Sequence, residues 1–516
     1  MKTAVRVACS IGVALMLGTM ASCGGGGGGS TPAGVQAQMC SPNNPYRADA
    51  TAATTIGSLS TEKTWLRDYI DRAYLWYNEV PNVNPASATY SDESDVFGSL
   101  DAYFNDLLTP VRTASNKLKD QFSFIYPTAA WDALINSGST VGYGIEWHFD
   151  SSTPPRNIRV AYVHPGSDAE AKGIVRGDTL VLADNVSADD NTQQGVSTLN
   201  AALFPASASS HTFRFSRTGA AAFDLTMVAG AVNLQPVQSR VLSVSGQNVG
   251  YILFNDHVLT AEPKLITAFQ AMQNANVTDL VLDLRYNGGG YLFIASEVAY
   301  MIAGGGPTAT AVFETTQFSN KRSNENDSTP FISTACIADA NFNCTSGAPL
   351  PTLNLNRVYV LTSSSTCSAS EAIVNGLRGI NIDVRLIGST TCGKPYGFFG
   401  RDNCGITYFP IEFQGVNNKG FGDYADGFIP AGTGTAGNNV PGCAARDDLD
   451  HALGDPAEGQ LASALSYRAS GNTACLPLMA SPRESPLAAR PSPALAQAFV
   501  PKPAVLTNRN ARMPAR

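Results

Sequence analysis

The stretch RVYVLTSSSTCSASEAIVNGLRGINIDVRLIG, residues 357–388, predicts the fold class. Apolar runs of strand length stand at both of its ends, at 357–363 and 383–388. Between them, Ser368 and Glu371 have the S-x-x-E spacing of a capping box, which marks the start of a helix. A strand, a crossover helix and a second strand predict an α/β sheet.

The serine at this helix start has two interpretations. Ser368 can cap the first turn together with Glu371. Alternatively, Ser368 is a nucleophile, placed where a helix N-terminus favours developing negative charge. Taken alone, the motif favours the capping role for Ser368, so a catalytic role depends on what the neighbouring segments contain.

Two further segments end in residues suited to acyl transfer. VTDLVLDLRYNGGG (277–290) reads as a strand that runs into three glycines, and STTCGKPYGF (389–398) brings Lys394 after the strand at 383–388. Sites in α/β sheets form beyond the carboxyl ends of strands. If these strands are neighbours, a serine, a lysine and a glycine turn share one cleft and can supply a nucleophile, a general base and oxyanion donors.

Composition limits the remaining possibilities. A chain of 516 residues predicts at least two domains. The net charge of −8 and the lack of a basic run argue against nucleic acid as a partner. The acidic residues near 426 and 447–448 lack EF-hand spacing, and the sequence contains no zinc-type Cys/His cluster, so we expect neither a metal nor a cofactor.

The N-terminal residues predict export. Residues 1–22 have early cations, an apolar run and small residues, which is the pattern of a signal peptide. Met20 to Cys23 resembles a bacterial lipobox, which implies lipidation at Cys23; glycine at position 24 implies sorting to the outer membrane. An ordinary secretory signal is the alternative. The six glycines that follow begin a predicted tether, residues 23–60.

An exported chain with an even set of cysteines suggests disulfide bonds. Eight cysteines remain once Cys9 and Cys23 are set aside. Short spacings make three bridges plausible without fixing the connectivity: 336–344, 392–404 and 443–475.

A resemblance to a PDZ domain covers residues 130–232. Ala169 to Asp178 is similar to the AxxAGLxxGD stretch of bacterial PDZ modules. Tyr143, Gly144 and Ile145 stand where the family has the loop that holds a peptide carboxylate. The resemblance implies that an extended peptide adds as a strand to an exposed sheet edge.

Residues 61–475 as a whole resemble the carboxyl-terminal processing, or tail-specific, serine peptidases. DLRYNGGG stands for the family's DLRxNPGG, CSASE for SASASE, and GSTTCGKPYG for GexTfGKg. The resemblance implies a ClpP/crotonase-like α/β protease core with an inserted PDZ domain and a small N-terminal helical unit. It also implies Ser368 as nucleophile, Lys394 as base, and the amides of Ala369 and Gly289 as oxyanion hole.

Departures from the family leave the partner of the lysine unassigned. Some members have a glutamine four residues after the lysine, where this chain has Phe398. Others have an acidic residue eleven after the serine, where Gly379 stands. A pure Ser–Lys dyad is therefore expected, and a Ser–His arrangement with His257 is the rival mechanism. Asp283 and Arg285 are expected to form a structural pair.

The resulting prediction is an exported, lipid-anchored serine endopeptidase that acts on C-terminal tails or unfolded proteins in the periplasm. Its membrane attachment is the lipid alone. The alternatives are a catalytically weak or inactive peptide-binding lipoprotein on the same fold, and a non-peptidase hydrolase that uses the same dyad. The predicted segments are a signal peptide 1–22, a tether 23–60, a helical region 61–129, a PDZ domain 130–232, a peptidase core 233–475 and a disordered tail 476–516.

Overall fold

The computed structural model describes most of the chain after residue 35. The predictions for the signal peptide and Cys23 lie outside the described residues, as does most of the tail 476–516. The described ranges are 36–113, 115–205, 207–339, 342–477 and 509–510.

Helices occur in each third of the described chain. Their bounds are α1 Leu59–Ala73, α2 Val96–Asp106, α3 Thr128–Ser137, α4 Asp168–Ala171, α5 Gln193–Leu203, α6 Ala261–Asn274, α7 Leu292–Ala303, α8 Gly305–Thr308, α9 Ala369–Gly379 and α10 Gly459–Ala469.

The strands before residue 234 are short. They are β1 Met39–Cys40, β2 Thr55–Ile56, β3 Phe124–Pro127, β4 Ser139–Gly142, β5 Ile145–His148, β6 Arg159–Val163, β7 Thr179–Ala183, β8 Val186–Ser187, β9 Ser210–Ser216, β10 Phe223–Val228 and β11 Gly230–Asn233.

The later strands include those of the central sheet. They are β12 Val237–Val244, β13 Gln247–Phe254, β14 Asp279–Asp283, β15 Gly290–Tyr291, β16 Val312–Phe318, β17 Asp327–Pro330, β18 Arg357–Thr362, β19 Asp383–Gly388, β20 Tyr396–Gly397, β21 Arg401–Asn403, β22 Ile406–Phe409, β23 Phe413–Val416, β24 Ile429–Pro430, β25 Asn439–Val440, β26 Gly442–Ala444 and β27 Arg509–Asn510.

Six strands form the central sheet, in the order β12-β13-β14-β18-β19-β26. β12 and β13 are antiparallel, and every later neighbour pair is parallel. Because β18 and β19 pair directly, with Val358 opposite Val384, the strands on either side of the predicted crossover helix are neighbours. The mixed α/β fold class is confirmed.

Helices cover both faces of this sheet. On one face Leu461 and Leu465 of α10 pack against side chains from β13, β14 and β18, such as Tyr359. On the other face Met272 of α6 lies over Gly250 and Leu280. A sheet buried on both faces needs strands whose central residues are apolar without alternation, as residues 280–282 of β14 and 358–361 of β18 are.

A second sheet lies between residues 139 and 233, and we call the segment of β4 to β11 the β-insert. Its antiparallel strands follow the order β10-β9-β7-β6-β5, with β8 beside β7. Trp147 and Phe215 lie in its own core together with Leu199 of α5. β5 is therefore an edge strand, paired with β6 alone.

Four disulfide bonds fasten the described chain. Two of the predicted bridges are confirmed, Cys336–Cys344 and Cys443–Cys475. The predicted 392–404 bridge is wrong: Cys392 pairs with Cys367, and Cys404 pairs with Cys40. Short spacing misled the prediction because the sheet and the N-terminal segment bring distant cysteines together.

The Cys40–Cys404 bond attaches residues 36–60, assigned above to the tether, to the rest of the fold. In this segment Met39 pairs with Thr55, and the Gln38 amide donates to Asn403 Oδ1 at 2.7 Å. The folded part of the chain thus begins before residue 60. Among the described residues, no helix combines the length and apolar character that crossing a bilayer requires.

Removing the Cys40–Cys404 bond is expected to destabilise the fold more than removing Cys336–Cys344. The two bonds span sequence separations of 364 and 8 residues. The chain-entropy account of cross-links gives about 6 kcal/mol for the long loop and about 2.5 kcal/mol for the short one. Urea unfolding of the two double-alanine variants measures the difference; equal losses would contradict the expectation.

Candidate active site

Three loops meet at the carboxyl ends of neighbouring strands. The glycine turn, 286–290, follows β14; the serine loop, 363–368, follows β18; and the lysine loop, 389–394, follows β19. Since these strands are consecutive in the sheet, their ends lie side by side. The sequence-based prediction that the loops share one location is confirmed by this topology.

Ser368 has a strained backbone and a hydroxyl without a hydrogen bond. Its φ and ψ are 60° and −115°, a combination that costs a non-glycine residue of order 1–3 kcal/mol. Its side chain is 0 % exposed, and Oγ has no hydrogen-bond partner among the described residues. Such strain on a serine between a strand and a helix is the geometry of a nucleophile elbow.

The predicted capping box stands at the start of α9, but only one of its two contacts is a full hydrogen bond. The Ser368 amide donates to Glu371 Oε2 at 3.0 Å, while the Ser368 hydroxyl makes no cap bond in return. A serine retained only for capping would use its oxygen on the first turn. The glutamate caps the serine here, and the serine oxygen stays available.

Glu371 joins the serine loop to the lysine loop. The oxygen that accepts from Ser368 also accepts from the Lys394 amide at 2.8 Å. The other oxygen accepts from the Gly393 amide at 2.9 Å and from the Thr391 hydroxyl. Burial raises the pKa of Glu371, and these four donors act against that shift.

The Cys367–Cys392 disulfide makes the same connection covalently. One cysteine precedes Ser368, and the other lies two residues before Lys394. The Cys392 amide also donates to the Thr366 carbonyl at 3.0 Å. The backbones that carry the candidate nucleophile and base are therefore held together twice.

Lys394 lies in an apolar enclosure. The side chain is 0 % exposed, with Nζ 5.1 Å from the Phe122 ring centre and 4.8 Å from that of Phe398. Burial lowers the pKa of Lys394 to about 7, although the carboxylates of Asp120 and Glu371 act in the opposite direction. A lysine with this pKa is substantially neutral at physiological pH and can accept a proton.

The two predicted oxyanion donors differ in their present bonding. The Ala369 amide begins α9, a position whose N–H has no partner within the helix. The Gly289 amide instead donates to Asn287 Oδ1 at 2.9 Å. The Asn287 carbonyl in turn accepts from the Cys367 amide and the Ser370 hydroxyl, both at 3.1 Å, which fixes the glycine turn against the serine loop.

His257, the rival base, lies behind the glycine turn. Its Nδ1 is 3.0 Å from Asn287 Oδ1, and its amide donates to the Gly289 carbonyl. Burial lowers the pKa of His257 to about 3, although hydrogen bonding of the ring with Asn287 and with the Gly289 backbone acts in the opposite direction. Its hydrogen bonds reach the glycine turn and not Ser368, so a positioning role fits it better than the role of base.

Replacing Gly290 with alanine is expected to lower the free energy of unfolding by about 2–3 kcal/mol. Gly290 has a φ of +136°, and a Cβ there would lie 2.4 Å from the His257 carbonyl oxygen. Gly306→Ala is the matched control, since an added Cβ meets nothing within 4 Å at that exposed site. Urea unfolding compares the two; equal stability of both variants would contradict the expectation.

A buried ion cluster surrounds Arg285, the residue directly before the glycine turn. Arg285 pairs with Asp283 at 2.9 Å, Glu458 at 2.6 Å and Asp447 at 2.8 Å, so the predicted structural pair is confirmed and extended. Burial acts to raise the pKa of Asp447, but Arg285 and Arg176 hold it well below its ordinary value.

The same cluster joins the β-insert to the glycine turn. Arg176 of the β-insert lies 2.6 Å from Asp447 and 2.5 Å from the Tyr286 hydroxyl. Tyr286 is the first residue of the glycine turn and also packs on Tyr162 of β6. The β-insert and the glycine turn are therefore in direct contact.

The predicted peptide-binding residues lie at the start of the edge strand β5. The Tyr143 ring is buried, and its hydroxyl donates to the Ala202 carbonyl of α5 at 2.9 Å. Gly144 has a φ of +83°, and its carbonyl accepts from the His164 amide. Ile145 pairs with Val163. These contacts hold the loop against both α5 and β6.

Sequence reasoning missed several residues that shape the site. Glu371 was recognised only as a cap, and its second role depends on a lysine loop 20 residues away. Asp120 and Phe122 come from the N-terminal region and reach Lys394 through tertiary packing alone. For Asn287 the sequence does carry a signal, the asparagine of YNGGG. An asparagine beside several glycines is typical of a turn that is held by side-chain hydrogen bonds, as Asn287 holds this one.

Comparisons with known proteins match the segments of the chain that form this site. Residues 248–397 match peptidase family S41, and residues 61–124 match the peptidase S41 N-terminal domain. The carboxyl-terminal-processing peptidase 2 of Arabidopsis thaliana, a chloroplastic protein, is 27% identical over 255 residues, which are 47% of this chain and 46% of the relative. The carboxyl-terminal-processing protease of Picosynechococcus sp. is 26% identical over 263 residues, which are 51% of this chain and 56% of the relative.

The chain thus spans about half the length of the curated relatives it matches. Among solved structures, a candidate S41 protease from Bacteroides fragilis has the same fold, with a TM-score of 0.58 at 23% identity, over 80% of this chain and 98% of that one. The family matches cover the N-terminal region, the glycine turn, the serine loop and the lysine loop. The chain thus contains two segments that match peptidase family S41, and it is similar there to the carboxyl-terminal-processing peptidases.

Proposed function

We propose that this chain is a serine endopeptidase of the tail-specific type, with Ser368 as nucleophile and Lys394 as general base. Two observations together carry the proposal: a serine on strained backbone whose hydroxyl has no hydrogen-bond partner among the described residues, and a buried lysine of pKa about 7. The two residues are held by one carboxylate and one disulfide. Peptidase activity is also the activity named for the curated relatives.

The proposed reaction proceeds through an acyl-enzyme. Neutral Lys394 takes the hydroxyl proton as Ser368 Oγ attacks the peptide carbonyl, and returns it to the departing amine. Water then hydrolyses the ester, with the lysine again as base. The Ala369 amide stabilises the oxyanion, and the Gly289 amide joins it by exchanging Asn287 for the substrate oxygen.

Substrate tails bind, in this proposal, to the β-insert. β5 is an edge strand whose first residue follows the glycine at Gly144, and α5 lies beside this loop. An extended peptide can pair with such an edge and place its carboxylate at the Tyr143–Ile145 loop. Because Arg176 of the β-insert contacts Tyr286, binding of a tail to the β-insert can then affect the position of the glycine turn.

The proposed location is the periplasm, with a lipid on Cys23 as the only membrane attachment and the outer membrane as the destination. The support is the sequence of residues 1–30 together with four disulfide bonds, which persist in oxidising compartments.

A peptide-binding lipoprotein without turnover is the second candidate. Two observations favour it: Ser368 is fully buried, and the Gly289 amide is already bonded within the protein. A fluorophosphonate probe with mass spectrometry separates the two candidates. A covalent adduct on Ser368, together with cleavage of an unfolded reporter protein, supports the peptidase; tight tail binding with neither adduct nor cleavage supports the binder.

The rate of peptide hydrolysis is expected to rise with pH through the pKa of Lys394. With a pKa of about 7, the neutral fraction falls tenfold for each pH unit below it, so kcat/KM should rise tenfold per unit up to about pH 7 and then level. A base with the pKa of His257, about 3, would give a flat profile between pH 5 and 9. Initial rates on one fluorogenic peptide, at constant ionic strength, distinguish the two.

A further inference from the structure

The enclosure of Lys394 is built by two separate parts of the chain. The ring centre of Phe398, which follows the lysine loop, lies 4.8 Å from Lys394 Nζ. The ring centre of Phe122 lies 5.1 Å from the same atom. Phe122 belongs to residues 61–124, the segment that matches the peptidase S41 N-terminal domain. The N-terminal region therefore reaches the candidate base directly.

Four hydrogen bonds fix the carboxylate of Asp120 beside this enclosure. One oxygen accepts from the backbone amides of Phe122 and Ser123, both at 3.0 Å. The other oxygen accepts from the Tyr74 hydroxyl at 2.7 Å and from the Ser123 hydroxyl at 2.6 Å. Asp120 is buried. Its carboxylate thus has a defined position, set by the same backbone that carries the Phe122 ring.

The segment 120–124 is attached to the core on its other side. The Ser123 hydroxyl accepts from the Ile411 amide at 2.9 Å. Phe124 opens β3 and pairs with Phe409 of β22, and the two rings stack with their centres 4.5 Å apart. These contacts hold Asp120 and Phe122 at Lys394 when the N-terminal region is packed on the core.

Asp120 and the apolar enclosure have opposite effects on the proton of Lys394. Burial, to which the Phe122 ring contributes, disfavours the ammonium, and the Asp120 carboxylate favours it. Glu371 of α9 is the other carboxylate that acts on this lysine, but its two oxygens already hold the serine and lysine loops. Tyr396 of β20 is neutral where the lysine titrates, because burial raises its pKa to about 12.

A positive charge appears on Lys394 whenever it takes a proton from the nucleophile. In an apolar enclosure such a charge is costly unless an opposite charge lies near it. Asp120 supplies that opposite charge from a fixed position. A buried aspartate stabilises the cation formed on the histidine of serine proteases in the same way.

We propose that Asp120 is a positioning residue for Lys394, whose carboxylate stabilises the ammonium formed during proton transfer, while the Phe122 ring keeps water from the amine. The catalytic consequence rests on the proposed function, whereas the effect on the lysine does not. The N-terminal region then completes the active site as well as covering the core.

Titration of Lys394 tests the proposal without any need for activity. In the Ser368→Ala chain, lysine labelled with ¹³C at Cε reports its protonation by NMR, and Lys394→Met identifies the signal. Asp120→Asn should lower the pKa of Lys394 by about one unit, because an opposite charge is removed. Phe122→Ala should raise it by about one unit, because water enters. A general loosening of the site would instead raise the pKa in both variants.

Conservative variants are the controls for this titration. Asp120→Ser, a second neutral variant that can still accept from the two backbone amides, should give the same shift as Asp120→Asn. Tyr74→Phe removes one bond from the carboxylate and keeps its charge, so the pKa of Lys394 should not move. Phe122→Leu keeps an apolar side chain and should not move it either. An unchanged pKa in both neutral Asp120 variants overturns the role of Asp120, and equal shifts in the two Phe122 variants overturn the role of the ring.

The catalytic consequence is read from pH profiles of the active chain. Asp120→Asn should move the rising limb of kcat/KM about one pH unit lower and reduce kcat on the plateau up to about tenfold, because one unit of pKa is a tenfold change in proton affinity. KM should stay within about twofold. A limb that moves with no loss of kcat overturns stabilisation of the ammonium by Asp120. An unmoved limb, in a chain whose lysine titration shifts, refutes Lys394 as the base and leaves the effect of Asp120 on the lysine established.

Discussion

Replacing Ser368 with alanine is expected to lower kcat for peptide hydrolysis by roughly 10⁶-fold, the size of loss found when the nucleophile of a serine protease is removed. The hydroxyl has no hydrogen bond to lose within the described protein. The substitution should therefore leave folding and peptide binding nearly unchanged, and a probe that acylates serine should no longer label the protein.

Replacing Lys394 with methionine should lower kcat to a similar extent. Methionine keeps the unbranched stem between the Phe122 and Phe398 rings and removes the buried amine. Combining the two substitutions should cost little more than either alone, because the two groups act as one unit. Rates of reporter cleavage by the two single variants and the double variant give this comparison.

The lysine variant also has a predicted stability signature. The pKa of Lys394 is about 7 in the fold, below its unfolded value, so between pH 7 and about 10.4 the unfolded chain binds more protons. The stability of the parent protein should rise across this window as the unfolded lysine loses its proton, and Lys394→Met should remove that rise. Methionine should raise the urea midpoint at pH 7 and lose this advantage near pH 10.

Ser370→Ala is the matched control for the nucleophile. Ser370 is also buried at the start of α9, but its hydroxyl donates to the Asn287 carbonyl at 3.1 Å. Loss of one such bond costs about 1 kcal/mol, so kcat should fall less than tenfold. A loss in Ser370→Ala as large as that in Ser368→Ala, with labelling of Ser368 intact, would contradict the assignment.

The parts of the site that sequence predicts are those set by one strand and its next turn. The apolar runs at 279–283, 357–362 and 383–388 each form a parallel strand, and each is followed by the loop that was singled out. β18 and β19 are expected to be neighbours because the crossover that joins them contains only the short helix α9. These are local patterns, so the chain around Ser368 and Lys394 could be placed from the sequence alone.

The parts that sequence does not predict depend on contacts between distant segments. Cys392 has a cysteine 12 residues ahead in sequence, but its disulfide partner is Cys367, whose loop follows the neighbouring strand. Asp120 and Phe122 approach Lys394 only after the N-terminal region has packed on the core. Nothing in the residues of the tail indicates that Arg509–Asn510 joins β15.

Glu371 bonds both to the helix start that follows its own strand and to the lysine loop beyond the next strand, and Glu371→Gln is expected to lower stability and rate together. One carboxylate oxygen accepts from the Ser368 and Lys394 amides, and the other from the Gly393 amide and the Thr391 hydroxyl. A glutamine amide has only one acceptor oxygen. If its NH₂ group faces the Ser368 and Lys394 amides, both amides are left unsatisfied. If it faces the other pair, the Gly393 amide is left unsatisfied, whereas the Thr391 hydroxyl can rotate and accept from the NH₂ group.

The cost of Glu371→Gln follows from these lost bonds. At least one buried donor is left unsatisfied, at about 1–3 kcal/mol, and the remaining bonds lose their charge assistance, so the free energy of unfolding should fall by about 2–4 kcal/mol. The serine and lysine loops should also separate, and a misplacement of about 1 Å in a reacting group costs about 10²-fold in rate. Both effects are expected together, one in urea unfolding and the other in kcat per folded molecule.

Glu412→Gln separates catalytic positioning from stability alone. Glu412 is also a buried glutamate, and it bonds Tyr69 at 3.0 Å and Arg322 in a region outside the three loops. Its substitution should lower stability and leave kcat per folded molecule within about threefold, because charge-assisted bonds are lost without moving Ser368 or Lys394. If Glu371→Gln behaved in the same way, the glutamate would be a structural residue and the register of the two loops would depend on the Cys367–Cys392 bond instead.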